Sequence, residues 1–445
     1  MKIIFITSFH VLVSRNILLA PFLKMLTDAG YRVVLIMPKK KEEYFRETFK
    51  HPEIIIEAIE NKLGRVDDFF KDLGLAAIRS ASLTIMRHRR MGIERPLSQR
   101  LMFWAPPFRS LIPKLFGLFM DKHSFHALFE KYQPEAVFST DVFSSNDCRL
   151  LLEAKAHGIR TIGMVRSWDN LTTKGGFRVV PDVLVVQNQV AKEDAVNFHG
   201  IDESIIKLIG IPHYDNYTKA PSASCDDVLR KLGIPLGKKY FVYAPLGDRI
   251  MKVGDIVHKH GYDNEMVKLI DERLPADTYL VVRFPPTDTV TIDRARLSPR
   301  VVYSAPGVRF GDGVKGVRAS EMNKDDDESL FHTLYYSAGV INPFSSLCVD
   351  AVFLDRPVIV PAFDPVEVGY WESVSRLQEF DHFVPIMKSS GVKVAKSSDE
   401  LKTALETYAK DQSTDASGRS ELSDLECLSR DGRSSERLLN IIRKV

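Results

Sequence analysis

The sequence is short of the features that usually name a function quickly. Its 445 residues hold four cysteines, Cys148, Cys225, Cys348 and Cys427, with no Cys-x-x-Cys pair and no spaced Cys/His set, so reduced thiols in the cytoplasm are expected. There is no Gly-x-Gly-x-x-Gly, Walker A loop, Gly-x-Ser-x-Gly or metal-binding His/Cys cluster. That argues against a dinucleotide oxidoreductase, a P-loop kinase and a lipase-type hydrolase, and neither a metal nor a cofactor is expected. No apolar run approaches the roughly 20 residues needed to span a bilayer. The opening MKIIFIT turns polar at Ser8, carries one Lys and has no cleavage pattern, so it reads as a buried strand and not as a signal peptide. A formal charge of +3 is too small to argue for nucleic acid.

What is present is an alternation of strands and helices. The length favours two domains of roughly 200 residues with a cleft between them. IIFIT, a helix-spaced NILLAPFLKMLTDAG and RVVLIMP form a β-α-β unit, repeated by PEAVFST, DCRLLLEAKAHG and RTIGMV and followed by DVLVVQN. Continuous Val/Ile/Leu strands of this kind imply a parallel sheet covered on both faces. A Pro-, Ser- and Lys-rich stretch then precedes YFVYAP, TYLVVRFPP, AGVINP and RPVIVPAF, the strands of a second α/β unit. The expected division is residues 1–215, a linker at 216–239, a second domain at 240–390 and a helical segment at 391–445. The fold class is α/β, with two Rossmann-like doubly wound domains.

Residues 39–130 fit this alternation poorly. From Arg79 to Lys122 nine Lys or Arg face two carboxylates, a net of +7, with aromatics and prolines interleaved in LMFWAPPFRSLIPKLFGLFM. Such a segment suits an anionic membrane surface, or is a set of helices with a solvated basic face.

In open parallel sheets ligands sit beyond the carboxyl ends of the strands, and several polar loops follow such ends. In NPFSSLCVDAVF, Ser345 and Ser346 stand at a helix start suited to phosphate, with Asp350 one turn on to accept from a sugar hydroxyl; capping by either serine is the structural alternative. Arg249 and Arg283 are placed for phosphate contact, and His213 lies where the first domain hands over to the linker. In VRSWDNLTTKGG, Trp168 can stack on a sugar, Asn170 can bond hydroxyls and Asp169 can serve as general base. Asp141 is the competing base. Arg15 and Asn16, after the first strand, are further acceptor or sugar contacts, although Asn16 is also a plausible helix cap.

YAPLGDR, VVRFPP, SAGVINPFSSLCVDAVFLDRPVIVP and DGRSSERLLNIIRKV together resemble the CDP-glycerol glycerophosphotransferases and related surface-polysaccharide glycosyltransferases of the GT-B fold. GIPHYD resembles that group's Gly-x-Pro-Arg-x-Asp segment, and SWDNLTTKGG resembles one glycosyltransferase-like branch. The resemblance covers roughly residues 130–445. It implies a nucleotide donor held mainly by the C-terminal domain through Ser345, Ser346 and Asp350 with Arg249 nearby, a lipid-linked or polymeric acceptor, and no obligatory metal. One departure stands out: the glycerophosphotransferase pattern has His before the Pro in Arg-x-His-Pro, where this chain has Pro285. The expectation is therefore a glycosyltransferase acting from a nucleotide-activated donor on a surface-polysaccharide or lipid-linked acceptor, in the cytoplasm or peripherally at the inner face of the cell membrane. A glycerophosphotransferase, a UDP-sugar 2-epimerase and a non-catalytic nucleotide- or glycan-binding protein are the alternatives.

Overall fold

The computed structural model describes residues 2–60, 63–91, 106–248, 261–286, 288–306, 308–309, 320–369 and 373–444, with 87–91, 106–107, 308–309 and 320–321 described by backbone alone. Seven parallel strands form the first sheet: β1 (Lys2–Thr7), β2 (Tyr31–Pro38), β3 (Ile54–Ile59), β4 (Ala136–Ser139), β5 (Arg160–Met164), β6 (Val183–Val186) and β7 (Ile206–Leu208). Their order is β3-β2-β1-β4-β5-β6-β7. Because successive side chains alternate between faces, Phe5, Val34 and Val137 enter one core while Ile4, Val33 and Phe138 enter the other. This is why the strands read as unbroken aliphatic runs.

The second sheet is also parallel. It contains β8 (Lys239–Tyr243), β9 (Thr278–Arg283), β10 (Val301–Ser304), β13 (Gly339–Ile341), β14 (Val358–Pro361) and β15 (Lys393–Ala395), in the order β10-β9-β8-β13-β14-β15. A short antiparallel pair, β11 (Val308–Arg309) and β12 (Ser320–Glu321), lies outside it. The two doubly wound domains are those expected. Strands β3, β7, β10 and β15 are additional to the sequence reading; most are short, and β3 falls within the stretch that fits the alternation poorly.

Two further differences have physical causes. The helix expected over 16–30 is interrupted: Val11–Val13 and a π-helical turn at Ser14–Leu18 precede a separate helix, Pro21–Asp28. Pro21 has no N–H to give and sits at the first turn of the new helix, where none is needed. The boundary expected at residue 390 falls inside the second sheet's connections, since Val360 pairs with Val394 across β14 and β15.

The end of the chain returns to the first domain. In the helix Ser434–Arg443, Leu438, Leu439 and Ile442 join the core that holds Phe22 and Leu26. Asp215 receives the Ser434 and Ser435 N–H groups at 3.0 and 2.7 Å and so caps that helix. Gly210 has φ of +83°, and a Cβ there would lie 2.5 Å from Ser434 Oγ. Two residues of GIPHYD therefore exist to seat the last helix.

The basic segment is described only in part, and the side chains of Arg87, Arg89, Arg90, Arg95 and Arg100 lie outside the described residues. The helix Pro106–Phe119 buries Ile112 and Phe116, and Arg109 donates to the carbonyls of Asn197 and Phe198 at a helix end. Among the described residues no helix is long and apolar enough to cross a membrane. The four cysteines are free thiols, all but Cys225 buried.

Candidate functional site

In each sheet the strand order reverses at one point, between β1 and β4 in the first and between β8 and β13 in the second. Crevices open at such points because neighbouring strands send their connections in opposite directions. The loop after β1 faces the loops after β8 and β13 across a cavity of about 340 Å³, which the loops after β5 and β9 also line.

Its floor is an ion-pair cluster joining the two domains. Arg15, from the turn after β1, donates Nε to Asp327 at 2.6 Å and Nη2 to Asp350 at 2.5 Å and to the Tyr217 hydroxyl at 2.8 Å. Tyr217 in turn donates to Asp327 at 2.9 Å. Burial opposes the charge on Arg15, and Tyr217, Asp350 and Asp327 more than offset it, holding its pKa above the ordinary value. Asp350 is likewise pushed up by burial, then held below the usual carboxylate range by Arg15 and His213. This corrects two expectations. Arg15 and Asp350 line the cavity, but they are bonded to each other, and Arg15 also to Asp327 and Tyr217, so they stand there as members of an inter-domain ion-pair cluster and not as isolated sugar contacts.

The two expected bases are also placed differently. Asp141 is buried, accepts from Arg166 Nε at 2.9 Å and from the Phe143 N–H at 3.0 Å, and is held ionised by Arg166 despite its burial. Asp169 accepts from Asn170 Nδ2 and Thr173 Oγ1, each at 3.1 Å. Burial raises its pKa, but His382 and Lys174 outweigh this and bring it to about 2. Neither carboxylate lines the cavity, and a base with so low a pKa takes a proton poorly near neutrality. Asn170 is buried beside them. Trp168 does line the cavity, with its ring edge-on to His382 at 4.7 Å between centroids. Asn16 lines it too, with Oδ1 buried and unpartnered.

On the second domain's wall Arg283, only 7% exposed, donates to Ser304 Oγ at 2.5 Å and weakly to the Asp326 carbonyl at 3.4 Å. No carboxylate pairs with it among the described residues. Burial lowers its pKa to about 10, so it remains a cation at neutral pH. Pro285 stands two residues on along the same wall. Ser345 Oγ accepts from Asn342 Nδ2 at 3.0 Å and from the Leu347 N–H at 3.3 Å, and so caps its own turn. Ser346 is exposed at the start of the helix Leu347–Phe353 and makes no capping bond with its side chain. Arg249 lies outside the described residues.

Two titratable groups converge on the same space. His213 is buried with both ring nitrogens unpartnered, and its Nε2 is 3.9 Å from Asp350; burial and Arg15 favour its neutral form. Glu426, from the helix Ala416–Cys427, was not legible as a site residue. It lines the cavity with Oε1 unpartnered, accepts from Asn188 Nδ2 at 3.3 Å, and has its pKa raised to about 7 by burial and by Asp194. No motif surrounds it, and only the return of the C-terminal helices brings it here.

The model of the CDP-glycerol:poly(glycerophosphate) glycerophosphotransferase family matches residues 178–444, well over half of the chain. The chain belongs to that family. Its fold is GT-B. Solved structures with the same fold include a UDP-GlcNAc 2-epimerase from Neisseria meningitidis bound to UDP-GlcNAc, at TM-score 0.56 and 9% identity over 100% of both chains. A glycosyltransferase from Rickettsia africae matches at TM-score 0.51 and 11% identity over 100% of this chain and 99% of its own. A variant of the wall teichoic acid polymerase TagF matches at 0.51 and 14% over 100% and 88%. At such identities the likeness is one of fold. No curated protein sequence matches the chain.

Arg15→Ala leaves Asp327 and Asp350 buried without their cation. A loss of about 3–5 kcal/mol in denaturant unfolding is expected; a loss below about 1 kcal/mol contradicts the clamp. A pH dependence follows as well. Asp147, Asp194 and Glu426 keep their protons to about pH 7 in the fold, against ordinary values of 3.8 to 4.5. The native state thus binds more protons across that window, and stability falls as pH rises through it. Asp350 and Asp169 act oppositely below pH 4, their contribution being lost as they protonate. Burial also keeps His10, His199 and His382 neutral, with pKa values lowered to about 3, 4 and 4, which acts in the opposite sense below about pH 6.5. The carboxylate share is therefore read by difference: the melting temperature of Glu426→Gln should rise relative to wild type between pH 5 and 8, and no relative rise contradicts the assignment.

Proposed function

We propose that this family member transfers a glycosyl group from a nucleotide-activated donor to a hydroxyl of a surface-polysaccharide or lipid-linked acceptor. The observation that carries this is the second-domain wall of the cleft: a buried arginine, Arg283, that forms no ion pair among the described residues, beside Pro285. A buried unpaired cation suits an anionic ligand, and a diphosphate between the two sheets meets it there. Pro285 has no side-chain proton to exchange, which disfavours glycerophosphate chemistry that needs a histidine at that place. Glycerophosphoryl transfer is the second reading, favoured by the family's own description.

In this account Arg283, Ser345 and Ser346 hold the donor's phosphates. Arg283 balances the charge that builds on the leaving phosphate as its bond to the sugar breaks, a role requiring no metal. Trp168 and Asn16 contact the sugar or acceptor. Glu426 takes the proton of the acceptor hydroxyl as its oxygen bonds to the anomeric carbon; its pKa near 7 suits a base at neutral pH.

Membrane contact belongs to the same proposal. The helices Arg65–Ala77 and Pro106–Phe119 meet through Phe70 and Phe116 and leave Phe69, Leu118 and Phe119 61, 74 and 67% exposed. Such apolar residues beside Lys114 and Lys122 suit the surface of an anionic bilayer, where the acceptor's lipid would reside.

The test offers the purified chain CDP-glycerol and a panel of nucleotide sugars with acceptor, and follows which donor is consumed. Consumption of a nucleotide sugar is expected. Glu426→Gln should lower kcat by about 10²- to 10⁴-fold with little change in KM, and abolish the acidic limb of the pH profile near 7. Consumption of CDP-glycerol alone would establish the second reading, and an unchanged profile in Glu426→Gln would remove Glu426 as the base.

A further inference from the structure

The first domain brings together three side chains that the cleft does not use. His126 opens the helix His126–Tyr132, Glu153 lies in the last turn of the helix Ser145–Ala156, and His157 caps that helix. One ligand atom from each, two imidazole nitrogens and a carboxylate oxygen, lies within 4.8 Å of the other two. Glu153 is fully buried. Its Oε2 accepts from the Phe125 N–H at 2.7 Å, which fixes the carboxyl group, while Oε1 is buried with no partner. The Nδ1 of His126 is buried and unpartnered as well. His157 Nε2 stands 4.0 Å from that free Glu153 oxygen, and the two imidazoles stack at 5.8 Å and 14°.

A buried carboxylate oxygen facing no donor is costly to leave alone. Here the nearest groups are imidazoles, which in their neutral form offer lone pairs and can share a cation with it. The other ring nitrogen of His126 is 3.2 Å from Glu130 Oε1. A carboxylate on the far side of a ligating imidazole fixes its tautomer and raises its basicity, an arrangement common around bound metals.

We propose that His126, Glu153 and His157 form a binding site for a divalent transition ion of the Zn²⁺ class. Two imidazoles and one carboxylate match that ion's preference, and ligand distances of about 2.0–2.2 Å require the side chains to draw in slightly around it. The histidines can do so, since their side chains are 44 and 34% exposed. His123, whose ring centroid is 5.5 Å from that of His126, can supply a fourth ligand. His157 precedes β5 at its amino end, whereas the transfer cleft lies beyond the carboxyl ends. The ion therefore ties together the two helices flanking β4 and takes no part in transfer. The residues escape a reading by spacing because Glu153 and His126 are 27 positions apart in sequence.

The test strips the full-length chain with a chelator and titrates Zn²⁺ in competition with a chromophoric chelator. One bound equivalent is expected, with a raised melting temperature and no such effect from Mg²⁺, which prefers oxygen ligands. The double variant His126→Gln/His157→Gln, altered at partly exposed positions, should bind at least about 100-fold more weakly. Zinc-edge X-ray absorption on the wild-type chain needs no variant and should report two imidazoles around the ion. Failure to bind an equivalent, unchanged affinity in the double variant, or a shell without imidazole would each overturn the site.

Discussion

The relation between the two domains depends on one buried cation. Arg15 reaches from the turn after the first strand to Asp327 and Asp350 in the second domain, with Tyr217 of the connecting segment completing the cluster. Taking three charges out of water costs several kcal/mol per ion, and their attraction offsets this only where geometry and hydrogen bonding are good. Both conditions hold here. Asp350 lies one turn after Ser346, so the pair that joins the domains also sets the Ser345–Ser346 loop against the first sheet. A looser contact would leave the cleft without a fixed width.

A second tie reinforces the first. The last helix leaves the second domain and completes the hydrophobic core under β1 and β2, with Asp215 as its cap and Gly210 clearing its path. GIPHYD and the C-terminal DGRSSERLL segment are therefore two halves of one contact. Between Gly210 and Asp215, Ile211, His213 and Tyr214 line the cleft, His213 with both ring nitrogens unpartnered. The same C-terminal return carries Glu426 to the cavity.

The architecture was legible because buried parallel strands declare themselves as aliphatic runs, as VVLIMP and YLVV do. Short elements such as β7 and β15 contain too few residues to display a period. Trp168, Ser345, Ser346 and Arg283 were singled out because they stand at or after strand ends, which a doubly wound sheet gathers, and His213 because it precedes the linker; all five line the cavity. What the loops do with their charges was not legible. Arg15 and Asp350 are 335 residues apart in sequence, and nothing local shows that each neutralises the other. Asp141 and Asp169 have the right residue type after the right strands, yet Arg166 near one and His382 near the other hold them as poor bases. Glu426 and the His126, Glu153, His157 cluster arise from tertiary contacts alone.

The central claim is that the cleft at the two switch points holds a nucleoside diphosphate against Arg283. It is tested most directly by thermal unfolding of the purified chain with UDP, GDP, CDP, CMP and dTDP species, for wild type and Arg283→Ala. A ligand bound only by the folded state raises the melting temperature by mass action. The account predicts a concentration-dependent rise with at least one diphosphate, lost in Arg283→Ala while that variant still unfolds cooperatively. No rise with any nucleotide, or an equal rise in the variant, would contradict it.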